Sequence, residues 1–121
     1  MVTVSDRLKY LRSDIPGCHL VAFGDSEARL VLKASHDKSV PREVLDGLCT
    51  EAIACFKKAE SCTETVSQHN ECVVFLASEM RIYLHAQNQS DFLCILCDLE
   101  SDPDIAVLSG MQVLEKLVGL K

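Results

Sequence analysis

Tryptophan is absent from this chain of 121 residues, and two tyrosines and four phenylalanines are its only aromatic residues. The core must therefore be aliphatic, built from Leu, Val, Ile, Ala and Cys. Glycine is scarce too, five in all, and no two stand in a G-x-G or Walker spacing, which excludes the loops that cradle nucleotide phosphates. A basic excess is missing, the net charge being −6 and the pI about 5.1. Nucleic-acid binders carry a stripe of Lys and Arg, and docking on anionic lipid needs the same sign, so both are disfavoured. No apolar run approaches a membrane span, and Asp6, Arg7 and Lys9 interrupt any leader-like segment. The expectation is a cytoplasmic protein with no membrane insertion and no nucleic-acid partner.

What the chain does have is cysteine, seven in number: Cys18, Cys49, Cys55, Cys62, Cys72, Cys94 and Cys97. An odd count at irregular spacing, with little Gly or Pro, does not fit a secreted disulfide framework. Reduced thiols are expected. With no repeat and no linker, residues 1–121 are expected to form one domain, long enough to bury a core unaided.

Hydrophobic periodicity lays out the elements. Val4, Leu8, Leu11 and Ile15 fall on one helical face. Thr3 and Asp6 have the capping-box pattern, and Pro16-Gly17 ends the helix. Cys18 to Phe23 is a short apolar run, followed beyond the turn at Gly24 to Glu27 by an alternating stretch, Arg29 to Ala34. Leu30, Leu32 and Ala34 are expected on its buried face, with Arg29, Val31 and Lys33 opposite, as in an edge strand.

From Pro41 to Glu60 the period is helical, with Ser39 a candidate cap. The apolar positions there form two adjacent seams, 44-48-52-55-59 and 45-49-53-56. Such a stripe is wider than packing on one sheet requires and implies burial on two sides. After the polar stretch Ser61 to Asn70 come three strand-like runs, Cys72 to Ala77, Met80 to His85 and Phe92 to Cys97. The last is continuously apolar, as in a central strand covered on both faces. Asn88, Gln89 and Ser90 mark a turn. Asp102 and Pro103 open a final helix whose apolar face is read as Ile105, Leu108, Met111, Leu114, Leu117 and Val118. The order α-β-β-α-β-β-β-α predicts an α+β domain with a five-stranded antiparallel sheet.

Candidate chemistry is sparse. Cys94-x-x-Cys97 lies inside a strand, where residues three apart point to opposite faces, so the pair is expected to pack rather than chelate. His69-x-x-Cys72 with Cys62 falls short of the four ligands of a structural zinc site. Cys49 and Cys55 sit on a helical apolar stripe, where burial raises a thiol pKa. His36 reads as a loop residue, and His19 and His85 as structural residues in strands. Asp98, Glu100, Asp102 and Asp104 lack the Gly and terminal Glu of a calcium loop and suit a helix N-terminus. No catalytic residue, metal ligand or cofactor site is therefore expected. Gly47, inside the middle helix, costs about 1 kcal/mol relative to Ala and fits either a close approach by a second helix or simple tolerance.

The segments "IPGCHLVAFGDSEARLVLKAS", "VPREVLDGLCTEAIACFKKAE" and "DFLCILCDLESDPDIAVLSGMQVLEKL", in this order, resemble the roadblock/dynein light chain family. Pro16-Gly17 and Asp25-Ser26-Glu27 match its first hairpin, while Ala28 stands where the family usually has glycine. The terminal helix makes the chain similar to the bacterial, archaeal and endosomal-scaffold members. The resemblance implies a profilin-like fold and a non-enzymatic dimer, formed with itself or a related roadblock-like chain. It further implies that the dimer binds or regulates a small Ras-like GTPase, or serves as an adaptor on a motor or membrane-associated complex. The dimer contact it implies comprises Val44, Leu45, Leu48, Cys49, Ala52, Ile53 and Phe56 of the middle helix, with Cys72, Val73, Val74 and Phe75 of the following strand. The residues by themselves leave a second class open, a small-ligand or metal sensor of PAS-like shape with Cys/His ligands.

Overall fold

The periodicities become elements in the computed structural model, which describes residues 2–37, 39–60, 71–86 and 90–119, the side chains of 58–60 and 119 excepted. In chain order they are α1 (Val4–Asp14), β1 (Cys18–Asp25), β2 (Leu30–His36), α2 (Arg42–Glu60), β3 (Glu71–Phe75), β4 (Met80–His85), β5 (Asp91–Cys97) and α3 (Pro103–Gly119). The strands form one open antiparallel sheet in the order β2-β1-β5-β4-β3. This is the predicted α+β architecture. Cys62, His69 and the Asn88-Gln89 turn lie outside the described residues. No described helix is long and apolar enough to cross a membrane.

β5 is central and buried along its whole length, as its unbroken apolar run predicts. Its side chains alternate between two cores. Leu93, Ile95 and Cys97 face α1 and α3, while Phe92, Cys94 and Leu96 lie beneath α2. Cys94 and Cys97 thus sit on opposite sides of the sheet.

α1 starts at the predicted capping box. Asp6 N donates to Thr3 Oγ1 and Thr3 N to Asp6 Oδ2, both at 3.1 Å. The bonds with Thr3 hold the Asp6 carboxyl below its ordinary pKa. After Leu8, Leu11 and Ile15 have packed on the sheet, the chain reverses at Gly17, whose φ of +82° is left-handed.

Two stretches depart from expectation. In β2, Val31 is buried and Leu32 is 43% exposed, because the ladder shifts between Phe23, paired with Lys33, and Gly24, paired with Val31. Leu32 is the extra residue of a bulge, and side-chain parity flips across it. Val31 therefore joins Ala34 under α2, and Leu32 does not share their face.

In α3 the row facing the sheet is Ala106, Gly110, Leu114 and Leu117, whereas Ile105 and Leu108 are 50% and 64% exposed. The reason is closeness of approach. A Cβ on Gly110 would lie 2.5 Å from Leu84 Cδ1 and 2.8 Å from Ile95 Cδ1. The helix therefore turns its smallest residues toward the sheet. Asp102 Oδ1 accepts from Asp104 N at 2.9 Å, giving the predicted cap before Pro103.

α2 covers the other face through Leu45, Leu48, Cys49, Ala52 and Phe56. Polar contacts set its position. Arg42 Nη2 donates to the Val31 carbonyl at 3.1 Å, and Glu51 accepts from the Tyr83 hydroxyl and from Arg81 Nη1. Glu79 receives Arg81 Nε at 2.6 Å.

Candidate functional site

The sheet's β3 edge is short and pairs on one side only, with β4. Its outer row of backbone N–H and C=O groups has no strand partner among the described residues, which makes it a template for another strand. α2 runs beside this edge. Ile53, Cys55, Cys72 and Val74 are partly buried along the border, where they pack against the core beneath α2, and Val73 packs against the opposite core. Phe75 closes the strand at 64% exposure, followed by Leu76 at 38%. The border is thus an apolar rim beside an open hydrogen-bonding edge.

The positions implied by the resemblance divide along this rim. Leu45, Leu48, Cys49, Ala52 and Phe56 fill the chain's own core. Val44 is exposed, Ile53, Cys72, Val73 and Val74 are half-buried, and Phe75 protrudes. The outward row of α2 consists of other residues, Glu43, Gly47, Thr50, Ala54 and Lys57, all exposed. Three of these are small, and a Cβ on Gly47 would meet nothing within 4 Å. Of this row, sequence reasoning singles out Gly47 alone. Which row of a broad stripe turns outward depends on how the helix is rotated on the sheet.

A second group of polar side chains forms at the start of β1. Leu20 pairs with Leu96 and Cys18 with Cys97, so His19 is the extra residue of another bulge. Its Nε2 lies 2.5 Å from Asp98 Oδ1 and its Nδ1 3.5 Å from Asp37 Oδ2. The hydrogen bond to Asp98 raises the histidine pKa, and Asp37 adds to it, against a smaller opposing effect of burial. The same bulge lets the Cys18 thiol donate to the Leu20 carbonyl at 3.6 Å and turns it to the α1/α3 side, against Cys97.

That contact, with burial, pushes the Cys18 thiol up. It holds the Cys97 thiol down, helped by His19 and Ser101. Alongside lies a cleft of about 370 Å³, lined by Ile15, Pro16, Gly17, Asp98, Glu100, Ser101, Asp102 and Ile105. Nothing in the sequence marks this group, since its residues meet only through pairing of distant strands.

Among the described residues no group of three or more His, Cys, Asp or Glu side chains is placed to hold a metal ion. Burial pushes the Cys49 thiol up, as its place on a helical stripe predicts.

An open five-stranded antiparallel sheet, with one long helix on one face and two helices on the other, defines the class of α+β protein to which this chain's fold belongs. It is a roadblock-like fold. The roadblock/LC7 domain from Streptomyces avermitilis superposes with a TM-score of 0.80 at 13% identity, over 96% of this chain and 95% of that one. MglB of Myxococcus xanthus gives a TM-score of 0.75 at 12% identity, over 97% and 93% of the two chains. The gliding protein MglB of Thermus thermophilus gives 0.70 at 19% identity, over 93% and 83%. No family model matches the sequence, and no curated protein does. At these identities the likeness is one of fold.

Proposed function

We propose that this protein is a non-enzymatic dimeric scaffold of the cytoplasm, which binds or regulates a small Ras-like GTPase or a larger motor or membrane-associated assembly. The observation that carries the proposal is the open β3 edge with its apolar rim. A second copy, or a related roadblock-like chain, would extend the sheet across that edge and satisfy its backbone groups. Phe75, Val74, Val73, Cys72, Ile53 and Val44 would contribute side chains from this protomer. Leu45, Leu48, Cys49, Ala52 and Phe56 would hold α2 in place from beneath. The small outward residues Gly47, Thr50 and Ala54 let a second α2 approach closely across the two-fold axis. GTPase binding rests on the resemblance between this sequence and the roadblock/dynein light chain family, and is tested separately.

Sedimentation velocity tests the dimer. The wild-type chain is expected at twice its 13.4 kDa mass. Phe75→Asp and Thr50→Arg, both at exposed positions, are expected to give folded monomers with unchanged far-UV circular dichroism. A wild-type monomer at every concentration would sink the proposed interface. Capture of purified Ras-like GTPases, loaded with GDP or a non-hydrolysable GTP analogue, tests the second half.

A further inference from the structure

The pairing of Cys18 with Cys97 has a specific geometry. Asp98 N donates to Gly17 O at 3.0 Å, and this bond brackets the two cysteines from outside. They therefore form a non-hydrogen-bonded pair of the antiparallel ladder, the kind whose Cα atoms lie about 4.5 Å apart. That spacing is within the range a disulfide needs, roughly 4.4–6.8 Å. Both side chains are on one face, because the bulge at His19 reverses the parity that would otherwise turn Cys18 under α2 with Leu20.

Among the described residues the other strand cysteines lack such a mate. Cys94 is flanked by Ala22 and Tyr83, and Cys72 stands opposite Tyr83. Cys18 is half-buried and Cys97 fully buried, so an oxidant reaches the pair from the Cys18 side. Asp98, Glu100 and Asp102 line the neighbouring cleft, which disfavours anionic reagents but not a neutral hydroperoxide.

We propose that Cys18 and Cys97 are a redox modification site, converted by hydrogen peroxide from a dithiol to a cross-strand disulfide. The Cys18 sulfur attacks one peroxide oxygen, and the Cys18 proton passes to the departing oxygen. The O–O bond breaks, leaving a sulfenic acid on Cys18 and releasing water. The Cys97 sulfur then attacks the sulfenic sulfur, the S–O bond breaks, and the hydroxyl leaves with the Cys97 proton as a second water. Two thiols are oxidised by two electrons and one peroxide is reduced to two waters. The bond ties the Gly17 wall of the cleft to the Asp98 wall.

The test uses the full chain, reduced and then treated with hydrogen peroxide, with remaining thiols blocked before non-reducing peptide mapping. A Cys18–Cys97 crosslink is expected as the main product. It should be accompanied by a higher thermal midpoint that dithiothreitol reverses. The crosslink should lose its dominance when oxidation is carried out in denaturing urea. In Cys18→Ser the crosslink and the reversible thermal shift should both disappear. Dominant pairing of other cysteines in the native chain would overturn the proposal, as would thiol oxidation that leaves Cys18 and Cys97 unlinked. The native-versus-urea comparison decides the matter even if the serine variant fails to fold. It does not depend on whether the chain is a dimer.

Discussion

Helices α2 and α3 each carry an interior glycine, and the two should respond oppositely to alanine. Alanine is favoured over glycine by about 0.8–1.0 kcal/mol within a helix, whichever helix it is. At Gly47 the new methyl meets nothing within 4 Å, so the whole gain should appear. Gly47→Ala is expected to stabilise the protomer by about 1 kcal/mol, or about 4 °C in Tm for a domain of this size.

At Gly110 the methyl would lie 2.5 Å from Leu84 Cδ1 and 2.8 Å from Ile95 Cδ1, and both of those side chains are 0% exposed. Their tips must move within a packed core, and overpacking of this kind costs about 1–3 kcal/mol. After the helical gain, Gly110→Ala should lose about 1 kcal/mol net. Urea unfolding at low protein concentration measures both, provided the m-values stay unchanged. Equal shifts at the two glycines would refute the packing argument, and so would destabilisation by Gly47→Ala in the dilute chain. Repeating the series at high concentration adds a contrast. A seam between two α2 helices would lose its close approach to the same methyl, and the advantage of Gly47→Ala should shrink.

The His19 contact gives stability a definite pH dependence. Its folded pKa is raised by Asp98 and Asp37, so the contribution is fully present below the unfolded value, near 6.5, and is lost as pH rises through the folded value. The side chains of His19 and Asp98 are each 44% exposed, which limits the effect to under about 1 kcal/mol. The gap in unfolding free energy between wild type and His19→Gln should be largest below the ordinary histidine value and should close as pH rises through the raised folded value. A pH-independent gap would contradict that account. Gly17→Ala should be costly for two reasons, a φ of +82° and a Cβ only 2.5 Å from Ser101 Oγ. A loss of about 2 kcal/mol is expected in thermal or urea unfolding, and a neutral result would mean that the turn has other conformations open to it.

Local rules decided much of this protein from its sequence. The Thr3/Asp6 capping box, the Asp102-Pro103 helix start and the unbroken apolar run of β5 each depend on residues within a few positions of one another. Backbone geometry translates such spacings directly into elements. The opposed faces of Cys94 and Cys97 follow from the same period of two. The width of the α2 stripe was legible too, but not its orientation.

Tertiary structure decided what spacing cannot carry. Two bulges, at Leu32 and His19, each shift a strand by one residue and reverse which side chains are inside. A bulge is a property of the pair of strands, and its sequence cost is one residue with no signature of its own. The rotation of α3 was set by Gly110 against Leu84 and Ile95, a contact between residues far apart in the chain. The positions read as an interface were separated by the same means. Hydrophobicity marks a residue as needing cover, and only the packed fold shows which residues the chain covers by itself, such as Leu48 and Phe56, and which stay exposed at the sheet's edge among the described residues, such as Phe75. Cys18 and Cys97 are neighbours for that reason alone: the sheet places β1 beside β5, and a single inserted histidine turns both sulfurs the same way.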